Sequence, residues 1–104
     1  MKVYFILTER QHFDYREGSK IEIHKKSFLD LEKAKIELKK LAEEALKEYD
    51  EEDLMKYSDK NWKLSEQLQI CYLYEYVKKG TSFQIRNRHC LDDLSISIFE
   101  TEAN

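Results

Sequence analysis

Apolar and polar side chains alternate near both ends of the chain and follow a helical spacing between them. Val3, Phe5 and Leu7 point one way in an extended segment, and Tyr4 and Ile6 point the other. Two apolar faces over Val3–Thr8 predict a central strand rather than an edge strand. Residues 9–19 lose the alternation and carry Gly18 among several charges, which predicts a loop or hairpin tip. From Lys20 to Lys25, Ile21 and Ile23 alternate with Glu22 and His24, the pattern of a half-buried strand.

The helical signal is the strongest in the chain. Leu31, Ala34, Leu38, Leu41, Ala42, Ala45 and Tyr49 recur at spacings of three and four, so they share one stripe of a helix. Ser27 with Asp30, or Asp30 alone, can accept the orphan amide protons at its start. Good helix formers run from 31 to 48 with no glycine or proline among them. At 1.5 Å per residue, a helix of about twenty residues is about 30 Å long and can cross a small sheet.

Asp50, Glu51, Glu52 and Asp53 can open a short second helix through Leu54, Met55 and Tyr57, closed by a turn at residues 58–61. Gln67–Arg88 reads as a hairpin with Lys79-Gly80 as its two-residue turn, because glycine accepts the positive φ needed there. In that register residues 76, 74 and 72 face 83, 85 and 87. One face then carries Ile70, Tyr72, Tyr74, Tyr76, Phe83 and Ile85, and this face is expected under the helix. The other carries Cys71, Leu73, Glu75, Val77, Ser82, Gln84, Arg86 and Arg88. Leu94, Ile96 and Ile98 alternate with Ser95, Ser97 and Phe99 in a last strand. The expected fold is α+β in one domain, residues 1–104. Five strands in the order ββαβββ form a mostly antiparallel sheet with one long helix on one face.

Composition removes whole classes of function. Charged residues make up 38% of the 104, yet the net charge is only −3 and 41% are hydrophobic, so the chain does not have the composition of a disordered one. Two glycines cannot build a glycine-rich phosphate loop. No apolar run approaches the about 20 residues of a membrane span or the 7–15 of a secretory core. Two cysteines do not make a disulfide scaffold, and a reducing cytoplasm is the expected setting. No CxxC, HExxH or paired Cys/His cluster is present, so neither a metal nor another cofactor is expected.

A helix that covers one sheet face leaves the other bare, and monomers seldom expose an apolar patch beyond a few hundred Å². Tyr4, Ile6, Leu73 and Val77 are the candidates for that uncovered side, and Phe99 is placed with them. Tyr15 and Arg16 join them from the loop at residues 12–17, where aromatic groups sit beside both signs of charge. The expectation is a non-enzymatic interaction module, binding a second copy of itself or another protein. A competing reading folds residues 50–66, with Leu54, Met55, Tyr57, Trp62 and Leu64, over the same face.

Other constellations support blander readings. Tyr72, Tyr74 and Tyr76 beside Lys78, Lys79, Arg86 and Arg88 resemble a single-strand nucleic-acid platform. Ile70 and Ile85 on the tyrosine face instead suit a core stripe, and the net charge is negative. Glu43–Asp53 is rich in carboxylates but reads as a solvated helix end. His12, His24 and His89 lack motif partners. Cys71 and Cys90 fall diagonally on neighbouring strands, about 7–8 Å apart, and are expected as free thiols. His89 beside Cys90 would point to the opposite face of a strand, which separates the one local pair suggestive of catalysis.

Lys2-Val3-Tyr4, then Phe13-Asp14-Tyr15 with Glu17-Gly18, then Phe28 through Leu31-Glu32-Lys33-Ala34, resembles a loose class of short bacterial and phage-borne proteins of unknown function. The similarity covers about the first half of the chain. It implies an α+β fold in a cytoplasmic bacterial or mobile-element setting, and no activity or functional residues to transfer.

Overall fold

A computed structural model of the chain describes residues 1–12, 19–56, 72–87 and 92–102. Among these residues one helix, α1 (Leu31–Leu46), lies on a sheet of six strands. The strands are β1 (Lys2–His12), β2 (Ser19–Phe28), β3 (Leu54–Lys56), β4 (Tyr72–Val77), β5 (Ser82–Asn87) and β6 (Asp92–Glu102). Their order across the sheet is β2-β1-β6-β5-β4-β3, so among the described residues β2 and β3 are the edges. The fold is α+β, as the alternation predicts.

The sixth strand is a correction to the sequence reading. Glu51–Asp53 makes only a single 3-10 turn, closed by the Asp53 amide donating to the Asp50 carbonyl at 2.9 Å. Leu54, Met55 and Lys56 then pair in parallel with Tyr72, Leu73 and Tyr74. Backbone partners along β4 hold these residues extended, where local propensity alone allows a helix. Every other neighbouring pair is antiparallel. β1 also runs well past Thr8. Its polar end keeps β6 on one side and β2 on the other through Gln11, so backbone pairing continues where the side-chain pattern stops.

α1 starts where Asp30 caps it. The Asp30 carboxylate accepts from the Glu32 amide at 2.9 Å, satisfying one of the orphan donors of the first turn. Ala34, Leu38, Ala42 and Ala45 are buried on the sheet side. Three alanines keep that stripe narrow, so the helix axis can approach the strands closely. The core joins Leu38, Ala42 and Ala45 to Ile6 of β1, Phe83 and Ile85 of β5, and Leu94 and Ile96 of β6. Phe28, Tyr72, Tyr74 and Ile98 pack around it.

The β4–β5 hairpin has the register read from the sequence: Tyr72, Tyr74 and Tyr76 face Asn87, Ile85 and Phe83. Lys79 (φ 57°, ψ 37°) and Gly80 (φ 83°) form its turn, and the Thr81 amide donates to the Lys78 carbonyl at 3.2 Å. Lys78 is left-handed as well (φ 53°). Two L-residues in this region cost about 1–2 kcal/mol each.

Candidate interaction surface

Strand parity and register together say which side chains the helix covers. Ile6 is fully buried beneath it, so the even positions of β1 face α1. This corrects the placement of Ile6 and Tyr4 on the uncovered side: both belong to the helix side. Alternation groups residues by face, but only the seating of the helix says which group is covered. The odd positions, Val3, Phe5 and Leu7, therefore lie on the opposite face, bare of any helix among the described residues.

Register extends that face across the sheet. Phe5 stands opposite Phe99 of β6, and Leu7 opposite Ile23 of β2. Ile21 and Ile23 are 63% and 58% exposed, and Phe99 is 39% exposed. β2 is thus amphipathic with its apolar side uncovered, the reverse of the half-buried strand expected for Ile21 and Ile23. Its polar side, with Lys20, Glu22 and His24, lies on the helix side. Val3, Phe5, Leu7, Ile21, Ile23 and Phe99 form one apolar strip over β2, β1 and β6. The Phe5 and Phe99 rings stack at its centre.

The middle of the bare face is polar. Ser97 and Ser95 of β6 stand opposite Ser82 and Gln84 of β5, and Arg86 opposite Asp93. Glu9, Gln11, Gln84, Arg86, Asp93 and Ser95 line a shallow groove of about 120 Å³ there. Beyond it Leu73 and Val77 of β4 occupy the bare face as expected, beside Met55 of β3. Both are half-buried. The face is therefore an apolar strip and a smaller apolar island with a hydrophilic track between them, where the sequence reading expects one continuous apolar slab.

The cationic residues of the nucleic-acid reading are spread out. Lys78 and Lys79 sit at the hairpin turn, and Arg86 lies at the other end of β5 on the bare face. Tyr72 and Tyr74 pack against the core under the helix, and Tyr76 tilts against Phe83 at 4.9 Å. Tyr15, Arg16, Arg88, His89, Cys71 and Cys90 lie outside the described residues, as do Tyr57, Trp62 and Leu64.

His24 reaches from β2 towards the helix, with its Nε2 3.5 Å from Glu37 Oε1. The pair is within ion-pair distance, but its geometry is not that of a hydrogen bond. It links the edge strand to α1. Arg10 ties β1 to the turn that follows α1, donating to Glu48 at 3.1 Å. Lys2 pairs with Glu100 at 3.1 Å, and that hydrogen bond raises the Lys2 ammonium above its ordinary pKa. Among the described residues no three His, Cys, Asp or Glu side chains gather as a metal site, and no helix is long and apolar enough to cross a membrane.

On the far side, Leu46, Lys47, Tyr49, Glu51, Leu54 and Tyr74 line a second cleft of about 470 Å³ where α1 ends. Tyr49 tilts against Tyr72 there, with 4.7 Å between ring centroids. No family model, no curated protein and no solved structure matches the chain.

Proposed function

We propose that this protein is a small cytoplasmic interaction module without catalytic activity, and that it self-associates through the bare face of its sheet. One observation carries the reading: the contiguous strip of Val3, Phe5, Leu7, Ile21, Ile23 and Phe99 on the side away from α1. The six strands, from 3 to 11 residues long at about 3.3 Å per residue and about 4.8 Å apart, offer a face of roughly 700 Å². That is near the about 800 Å² per partner of a standard interface. The strip itself is apolar and is flanked on one side by the serines of β6 and β5, so the patch has a polar border of the kind such contacts show. A protein partner is favoured over a nucleic acid because two of the three tyrosines needed for base stacking, Tyr72 and Tyr74, are packed against the core under the helix.

Light scattering over micromolar concentrations tests this. The expected mass is at least twice that of one chain, and Phe5→Lys should lower it while leaving the circular dichroism spectrum unchanged. A wild-type mass of one chain at every concentration overturns the proposal.

A further inference from the structure

The outer edge of β2 is a separate surface. Among the described residues it has a neighbour, β1, on one side only. Such an edge is a template for another strand, and proteins usually blunt it with charge or irregularity. Here the blunting is local. Pairing with β1 is regular from Gln11↔Ser19 to Leu7↔Ile23, then jumps to Phe5↔Ser27. The slack at residues 24–26 carries Lys25 and Lys26, leaving residues 19–23 as the straight part of the edge, with Ile21 at its midpoint.

We propose that this edge pairs antiparallel with the same edge of a second copy, about a two-fold axis through Ile21. Two observations select that axis independently. It is the midpoint of the regular segment, so both copies use all of it. It also sets Lys20 opposite the partner's Glu22 and Glu22 opposite the partner's Lys20. An axis one residue away in either direction would place Lys20 on Lys20 or Glu22 on Glu22. Lys20 and Glu22 are exposed on the helix side of β2, and neither has an ion-pair partner among the described residues. Opposite charges directly across two antiparallel strands attract, and like charges repel.

The edge contact goes beyond the face contact and does not depend on it. Its axis is normal to the sheet, so both helices stay on one side and the two apolar strips become neighbours. A face contact uses axes in the sheet plane. The two together close a four-chain assembly with mutually perpendicular two-folds, a common symmetry among oligomers.

The experiment compares the masses of four proteins by light scattering: wild type, Phe5→Lys, Lys20→Glu, and Lys20→Glu with Glu22→Lys. Four chains are expected for wild type and two for Phe5→Lys. Lys20→Glu should weaken the edge by on the order of tenfold in dissociation constant, giving two chains at low concentration. The double exchange should restore four, because it recreates both opposite-charge pairs. As a geometric check, Ile21→Cys should give an oxidised two-chain product with Cys71 and Cys90 replaced by serine, and Ile23→Cys should not.

A wild-type assembly lost in Phe5→Lys and unchanged in Lys20→Glu overturns the edge and leaves the face. An assembly lost in Lys20→Glu, restored by the exchange and unchanged in Phe5→Lys upholds the edge and overturns the face. Loss in Lys20→Glu without restoration overturns this register, as does efficient cross-linking at residue 23 alone.

Discussion

Phe5 and Phe99 stack with 5.3 Å between ring centroids and 20° between planes, on the face of the sheet that α1 does not cover. They are directly opposed residues of β1 and β6, so the stack ties the first strand to the last. An aromatic pair contributes about 0.5–1.5 kcal/mol beyond the area it buries. A double-mutant cycle on Phe5→Leu and Phe99→Leu should return a coupling energy in that range at fixed chain concentration. Additive single effects would mean that the rings touch without stabilising the pairing.

Phe83 is fully buried between the hairpin tyrosines and the helix, with Tyr74 and Tyr76 at centroid distances of 6.3 and 4.9 Å. Truncation removes its packing and leaves a cavity that the sheet backbone cannot close. Phe83→Ala should destabilise the fold by about 3–5 kcal/mol in urea unfolding. Phe99→Ala, at a half-open site, should cost clearly less. Equal losses at the two positions would contradict the core described above.

The β4–β5 turn should respond with opposite signs at neighbouring positions. Lys79 sits at φ 57° and ψ 37°, so Lys79→Asn should stabilise by a few tenths of a kcal/mol up to about 1 kcal/mol, since asparagine tolerates the left-handed region better. A methyl group on Gly80 would meet open space, but the backbone there has a φ of 83°. Gly80→Ala should therefore destabilise through backbone strain alone, by about 1 kcal/mol. Thermal unfolding of the two variants beside wild type checks both signs. A neutral Gly80→Ala would mean that the turn relaxes to another conformation.

These residues also show how much of the molecule is legible in its sequence. The tyrosine stripe and the hairpin register follow from period-two alternation around Lys79-Gly80, because side-chain direction and turn chemistry are local properties. The helix stripe is local in the same sense, and only its end differs: α1 stops at Leu46, while Tyr49 still packs against Tyr72. Whether Ile6 or Phe5 lies beneath the helix is not local. β1 is apolar on both faces, so its own pattern is symmetric, and the choice depends on β6 pairing Ile98 with Ile6 and Phe99 with Phe5. β3 is hidden for a related reason. Three residues carry too little periodicity to identify a strand, and its partner Tyr72 lies far along the chain. The apolar strip, the part of the surface that matters most for association, depends on that same long-range choice.

Tyr76 gives the fold a dependence on alkaline pH whose sign is fixed by its surroundings. Partial burial against Phe83 disfavours the phenolate, and the Glu43 carboxylate adds repulsion, so its pKa is raised above the ordinary value. In the unfolded chain the phenol ionises near pH 10, while in the folded chain it still holds its proton. The unfolded state then binds fewer protons, and stability falls as pH rises. The contribution is complete below about pH 9 and is lost as pH climbs through the raised folded value. Lys2, raised by Glu100, loses stabilisation in the same direction at similar pH. Urea unfolding at steps from about pH 8 to pH 11 should show a steeper decline for wild type than for Tyr76→Phe, which keeps the ring and removes the proton. Tyr76→Phe should retain a residual slope that Lys2→Met reduces further. Parallel curves for wild type and Tyr76→Phe would show that the phenol ionises equally well in the folded and unfolded chain.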